Sequence, residues 1–295
     1  MINIIYNMET ADPDDAFTLC MLYSHPKVNL VGVTITPGSL QQVNLVEDLL
    51  ARLGKNIPIG VKNFNHPKSC VSEFHYKWLR DYLSLKEYYE APPDGGDLIA
   101  AAIKQHGDTK IVSGAGLGCV AQYLTKYNTE LDEVVIQGGF AGDNVVPEEL
   151  RLAKFNGKTT CPTFNLNADV EAAKLIASTK QIKKKLFVSK NVCHGIIYDN
   201  EMHERIKPHR HNNVGLDLLV DGMDFYLNKN KHGKAFHDPL AACVAIDQSI
   251  VTFKEVEIYR ERGEWGARLA DGTNTFISIA VDRPAFENIL IGKGR

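Results

Sequence analysis

Along roughly the first 190 residues, short runs rich in Val and Ile alternate with stretches of helical period, and this alternation leaves the chain few architectures. The strand-like runs are Ile2 to Tyr6, Val28 to Thr36, Ile57 to Val61, Lys110 to Ser113, Glu133 to Gln137 and Leu186 to Ser189. Between them the pattern predicts helices over Pro13 to Ser24, Leu40 to Leu53, Asp97 to His106, Leu117 to Tyr127 and Ala168 to Ser178. Strands that are apolar at nearly every position are covered on both faces, so the reading is α/β, a mostly parallel central sheet with helices on both sides. Farther on helices dominate, over Leu216 to Leu227 and His237 to Ile246. A tail of Val251 to Arg260 and Thr275 to Val281 reads as a small β-hairpin around Gly263 to Gly272, before a last helix from about Arg283. The basic triplet Lys183-Lys184-Lys185 reads as a solvated helix end. With no repeat, low-complexity stretch or linker, one domain over 1–295 is the simplest organisation.

In sheets of this kind ligands gather at the carboxyl ends of the strands. Polar clusters follow four of these strands: Glu9 to Asp15, Thr36-Pro37-Gly38-Ser39, Gly114 to Gly118 and Gly138 to Asn144. The first is the most heavily charged, with Glu9, Asp12, Asp14 and Asp15 close together after a buried strand. Such crowded anions call for a cation or a polar ligand to offset their repulsion. A second signal, Phe236-His237-Asp238-Pro239, opens an apolar helix near the other end of the chain. Together they predict a divalent-metal site assembled from both ends.

Composition excludes several classes. A net charge of −3 gives no electrostatic case for nucleic acid or an anionic membrane. The six cysteines lie far apart with no Cys-x-x-Cys pair, which disfavours structural zinc and a disulfide framework. Cys193 and His194 are read as pointing to opposite faces of an extended segment, so they are not taken as a nucleophilic pair. His194, His209, His211 and His232 show no ligand spacing and are read as surface or supporting residues, so zinc is not implied. Gly114-x-Gly116-x-Gly118 is a weak match to a dinucleotide loop, since it does not follow the first strand. No signal-peptide pattern and no bilayer-length apolar run are present, and the expected location is the cytoplasm.

The first strand leading to Asp14-Asp15-Ala16, then Val31-Gly32-Val33-Thr34, Gly116-Leu117, Gly138-Gly139, Phe164-Asn165 with Ala168-Asp169, and His237-Asp238-Pro239 follow one another in an order that resembles the nucleoside hydrolases. These are calcium-dependent N-ribohydrolases of the inosine-uridine type, and the likeness runs over nearly the whole chain. It implies cleavage of the N-glycosidic bond of a ribonucleoside, or a related N-ribosyl compound, to base and ribose by a metal-activated water. It also implies one Ca2+ per chain, a small-molecule ribosyl substrate, and a homodimer or homotetramer. Carried over, Asp15 and Asp238 match carboxylate ligands of the metal, and Gly118, where the family usually has Thr, matches a backbone carbonyl ligand. Asp14 matches a residue that bonds a ribose hydroxyl, and Asn165 and Asn144 match sugar-binding asparagines. His237 matches a histidine beside the leaving base that can donate a proton to it.

Departures from the family pattern bear on mechanism and substrate. The family's first loop reads Asp-x-Asp where this chain has Asn7-Met8-Glu9. With a one-residue gap Glu9 takes the place of the catalytic base and metal ligand; without it Thr10 falls there and no base exists. Glu9 is the reading that preserves the chemistry. Ser39 replaces the Asn of the second loop, and Thr163 replaces a Glu two residues before Asn165. His75 aligns loosely with a mobile loop histidine, and Tyr226 is a candidate to stack on a base, with helix packing its plainer role. An insertion around Glu148 to Pro162 carries Arg151, Lys154, Phe155 and Lys158 toward the pocket mouth, which suits a phosphate or another anionic extension, although inserted charges are usually only solvated. Two rival readings stand beside the hydrolase: a degenerate member that binds a ribosyl ligand without turnover, and a metal-dependent phosphohydrolase, for which no second set of metal ligands is evident in the sequence.

Overall fold

The computed structural model describes residues 1–54, 56–79 and 91–293. Its strands are β1 (Ile2–Met8), β2 (Val28–Ile35), β3 (Ile59–Val61), β4 (Thr109–Ser113), β5 (Leu131–Gln137), β6 (Thr160–Cys161), β7 (Ile182–Val188), β8 (Ile197–Tyr198), β9 (Lys234–Ala235), β10 (Val251–Glu261), β11 (Glu264–Leu269) and β12 (Thr275–Val281). Its α-helices are α1 (Pro13–Ser24), α2 (Leu40–Leu53), α3 (Glu73–Leu79), α4 (Gly95–His106), α5 (Gly118–Tyr127), α6 (Phe164–Ala168), α7 (Val170–Ser178), α8 (Lys190–Cys193), α9 (Asn200–Ile206), α10 (Val214–Lys229), α11 (His237–Ile246) and α12 (Arg283–Leu290).

Ten strands form one continuous sheet in the order β3-β2-β1-β4-β5-β7-β12-β10-β11-β6. From β3 to β12 every neighbouring pair is parallel; β10, β11 and β6 complete it antiparallel. Successive residues of the central strands enter two separate cores. Ile4, Tyr6, Met8, Val112, Val135, Leu186 and Val188 pack on one face with α1, α2, α10 and α11, while Ile5, Ile111, Val134, Ile136 and Phe187 pack on the other with α4, α5 and α7. Two covered faces account for the nearly unbroken apolar runs.

Local chemistry starts and stops the helices. Asp12 caps α1 ahead of Pro13, Ser39 and Gln42 form a reciprocal capping box on α2, and Gly54 ends α2 in the left-handed conformation. The chain leaves β1 toward β2 and β3, then returns to lay β4 on the opposite side of β1. A crevice therefore opens between the carboxyl ends of β1 and β4, the topological switch point where such sheets bind ligands.

Three sequence expectations change. Lys183, Lys184 and Lys185 belong to β7, not to a helix end: Lys183 pairs with Asp132, Lys184 bonds Gln248, and the buried Lys185 donates to the carbonyls of Ala177 and Thr179. The predicted hairpin is a three-stranded antiparallel unit with β10 in the middle: the presumed loop contains β11, paired to β10, while β12 lies on the other side of β10 and joins the unit to β7. The helix expected over Ala168 to Ser178 breaks at Asp169, which caps α7 through its side chain.

Candidate active site

At the crevice the acidic loop after β1 meets the start of α11. Asp14 Oδ2 accepts from the backbone N–H groups of His237 at 3.1 Å and Asp238 at 3.2 Å. An acid of the first loop thus satisfies open donors of a helix 223 residues away, where the helix dipole also favours its charge. Asp15 Oδ1 accepts from Glu9 N at 2.9 Å and from the Tyr6 hydroxyl at 3.2 Å, which ties it to β1. Asp14, Asp15 and Asp238 are all buried, and each offers an oxygen within 4.8 Å of the others. Gly114, directly after β4, leaves space for this grouping: a Cβ there would lie 2.7 Å from the carboxyl carbon of Asp238.

Above these acids opens a cavity of about 290 Å³, at the small end of the range for small-molecule sites. Glu9, Asp12, Asp14, Asp15 and Asp238 form one side, and Gln137, Thr163, Phe164, Asn165, Lys190, His194 and His237 contribute the rest with Gly114 and Gly138. Asn165 is fixed by its amide, which donates to the carbonyls of Gly114 and Gln137 and to the Gln137 side chain. The Thr163 hydroxyl and the His237 Nε2 are buried with no hydrogen-bond partner. Phe164 stands exposed at the mouth.

Among the described residues, one lysine pairs with these acids, reaching two of the five. Lys234, carried by the short β8–β9 ribbon, lies 2.7 Å from Asp12 and 3.3 Å from Asp14. Burial works against its charge, but Asp14 and Asp12 outweigh that and hold its pKa up. Burial also opposes ionisation of Asp12, yet the same ammonium keeps that carboxyl below its usual range. The other acids shift the opposite way. Burial, then Asp12 and Asp14, push Glu9 up to about 7; burial lifts Asp14 to about 7 against the pull of Lys234. Asp15 and Asp238 rise well above the carboxylate range, by burial and then by their neighbours' charges. Such a set of hard oxygen donors short of positive charge fits a divalent cation.

The structure brings Glu9, Asp14, Asp15, Thr163, Asn165, His237 and Asp238 to one cavity. It places five expected residues elsewhere. Gly118 starts α5 and borders a separate surface cavity beside Lys62, so Gly114 is the glycine next to the acids. Asn144 is exposed and donates to the carbonyl of Ala267 in β11. Ser39 is used up as the cap of α2 and as a donor to the Ser69 carbonyl. His75 is buried against Phe74 and Trp78, and burial pushes its pKa down to about 4. Tyr226 packs edge-on against Phe74. The sequence reading also set aside His194, which lines the cavity with its ring centroid 4.6 Å from that of His237. It passed over Lys190, Gln137 and Lys234 altogether. Asn7, the departure from Asp, is fully buried and bridges three strands, donating to Ser113 Oγ and the Gly116 carbonyl while accepting from the hydroxyls of Thr34 and Thr36.

The fold has counterparts among known proteins. Among solved structures, a purine-preferring ribonucleoside hydrolase from Gardnerella vaginalis superposes with a TM-score of 0.70 at 20% identity, covering 98% of this chain and 97% of its own. A plant nucleoside hydrolase gives 0.72 at 16% identity, with 98% and 97% covered. An inosine-uridine preferring nucleoside hydrolase from Bacillus anthracis gives 0.70 at 16%, with 99% of each chain covered. An uncharacterized protein of Aquifex aeolicus is 26% identical over 287 residues, 94% of each chain. The family model described as inosine-uridine preferring nucleoside hydrolase matches residues 4–288. The chain belongs to that family.

Proposed function

We propose that this nucleoside hydrolase cleaves its ribonucleoside at the crevice between β1 and β4, with Glu9, Asp14, Asp15, His237 and Asp238 as the working residues. The observation that carries this reading is the convergence of Asp14, Asp15 and Asp238 from opposite ends of the chain on one buried point. Asp14, Asp15 and Asp238 would hold a divalent ion, with Glu9 at its edge; the family is metal-dependent, and an all-oxygen donor set suits calcium, one per chain. When bound, the ion supplies Lewis-acid polarisation and a mount for vicinal ribose hydroxyls.

The side chains do the remaining work. Glu9, poised near neutrality by burial and by Asp12 and Asp14, accepts the proton of the attacking water. As the water oxygen bonds to the anomeric carbon, the C–N bond breaks and its electron pair leaves with the base. Positive charge developing on the ribosyl ring is met by the surrounding carboxylates. Burial keeps His237 neutral, with its pKa down to about 4. Its Nε2 lacks a protein partner and is available to hydrogen-bond the departing base. Asn165, held by three donor bonds, is placed to orient the sugar.

The same reading takes the chain as one domain, which the single ten-stranded sheet supports, and as a cytoplasmic homodimer or homotetramer, as the family suggests. Among the described residues no helix is long and apolar enough to cross a membrane. A panel of purine and pyrimidine nucleosides, assayed for released reducing sugar with calcium or with a chelator, tests it. Calcium-dependent release of ribose is expected. A rate untouched by the chelator would overturn the metal's role, and no release from any nucleoside would overturn the activity.

A further inference from the structure

The cavity carries a second, basic wall. Lys190 and His194 line it from the segment after β7, and Lys154, in a short 3-10 turn over Ala153–Phe155 of the insertion, stands exposed beside His194. Lys154 Nζ lies 2.6 Å from His194 Nδ1. Both ammonium groups sit over the same ring, Lys154 at 5.1 Å and Lys190 at 5.9 Å from the centroid of Phe155. Phe155 is buried against Phe140, so the two charges rest on a fixed platform. Lys190 donates to the Pro162 carbonyl at 2.8 Å. Among the described residues neither lysine has a carboxylate partner, whereas Lys126, Lys174 and Lys183 each do.

A separate observation points to a ligand at this wall. The Thr163 hydroxyl, on a residue only 1% exposed, lines the same cavity and bonds nothing, one residue beyond the carbonyl that holds Lys190. Burial first, and then His237, Lys154 and Lys190, push His194 down to about 3, so its ring stays neutral beside Lys154.

We propose that the substrate is a ribonucleoside bearing an anionic group, a phosphate or a carboxylate, and that Lys190 and Lys154 receive that group while Thr163 donates to it. The proposal rests on the nucleoside hydrolase reading and narrows its substrate class. Other residues of the insertion take no part. Arg151 donates to the carbonyls of Val146 and Asp143 and pairs with the Asp143 side chain, and Lys158 is exposed and does not line the cavity. A metal at Cys193, His194 and His237, whose ligand atoms are mutually close, is the competing use of this corner. It is disfavoured because two ammonium groups adjoin it, Gln137 donates to the Cys193 sulfur at 3.3 Å, and burial pushes that thiol up to about 12.

The test uses the calcium-loaded protein with uridine and inosine, their 5′-monophosphates, and orotidine, whose base carries a carboxylate. An anionic substrate is expected to exceed its neutral counterpart in kcat/KM by about tenfold or more, the weight of one charge-assisted contact. Lys190→Met and Lys154→Met should each cut that ratio, and Lys190→Arg should preserve it. Preference for the monophosphates places the anion on the sugar, and preference for orotidine places it on the base. Equal rates for charged and neutral substrates, or a preference that survives both methionine variants, overturns the proposal. If no nucleoside is hydrolysed, it is the activity that fails. Calorimetric binding of the same ligands then decides the charge preference by itself: tighter binding of an anionic member supports it, and equal affinity ends it.

Discussion

Glu9 separates what favours folding from what favours chemistry. Its carboxyl is raised to about 7 by burial and by Asp12 and Asp14, against an ordinary value of 4.5. A raised folded-state value means that this contribution is complete below the unfolded value, is lost as pH rises from about 4.5 through about 7, and changes no further above that. Glu9→Gln removes the charge and keeps the shape. In chelator at pH 8 the variant should therefore unfold with about 2 kcal/mol more free energy than the parent, a gap that closes below about pH 4.5. With calcium and substrate it should lose at least about a hundredfold in kcat. Urea denaturation at the two pH values and initial rates of ribose release check the two halves, and a fully active Glu9→Gln would remove Glu9 from the mechanism. Residues of this kind were legible because carboxylates crowded after a strand have no cheap structural explanation. Lys234 was not legible, since a lone lysine beside Gly233 looks like any loop residue until the β8–β9 ribbon delivers it to Asp12 and Asp14. Ser39 and Asn144 misled for the opposite reason: both follow strands, but a cap and a carbonyl consume them.

Between elements, the position of the acids depends on how α1 seats against α10. Two glycines of α10 let the helices close: a Cβ at Gly215 would lie 2.0 Å from the Cys20 carbonyl oxygen, and one at Gly222 would lie 2.4 Å from the Phe17 ring and 2.9 Å from Trp78. Phe17 is two residues beyond Asp15 on α1, so crowding at Gly222 presses on the helix that carries the acids. Gly222→Ala should lower the unfolding free energy by about 1–3 kcal/mol, the usual cost of overpacking a tight core. It should also raise the calcium concentration needed for half-maximal activity. A urea midpoint and a calcium titration read both, and an unchanged midpoint would show that the contact relaxes at no cost. Most elements were readable because apolar runs on doubly covered strands and 3.6-residue stripes on helices are direct images of burial. The lysine triplet of β7 hid a strand start, because long side chains let charges sit on a strand while only its later residues are apolar. Had Leu186 to Ser189 been followed to its end as the other strands were, Lys190 and His194 would have stood out as the polar cluster after it.

Across the whole molecule, two links join regions far apart in sequence, and each makes the global fold respond to a solution variable. The first is His25, at the end of α1, whose Nε2 lies 3.1 Å from the Ile289 carbonyl in α12 while its Nδ1 accepts from the backbone N–H of Lys27. That pattern requires the neutral ring with its proton on Nε2, because a proton on Nδ1 would face the Lys27 N–H. Burial accordingly pushes the value down to about 4 from 6.5. A depressed folded-state value leaves this contribution intact above about pH 6.5 and removes it as pH falls toward 4. Over that interval the parent should lose about 2–3 kcal/mol that His25→Gln does not lose, as measured by urea unfolding at pH 7 and pH 4.5.

The second link is the acidic centre, where Asp15 from the first turn of α1 and Asp238 from a late helix share one point while Lys234 leaves most of the charge unanswered. Without a cation their mutual repulsion opposes the docking of α11 against α1. A bound ion converts the same residues into a clasp between the two ends of the chain. Because the unfolded chain has no such site, calcium at about a hundred times its dissociation constant should add about 2.7 kcal/mol to the unfolding free energy. Asp238→Asn should abolish that increment, and in chelator it should itself be at least as stable as the parent, since it removes a carboxyl whose ionisation burial and the neighbouring acids oppose. Thermal melts of both proteins, with calcium and with chelator, decide the matter. A melting temperature that ignores calcium in the parent would mean that the three aspartates hold no ion.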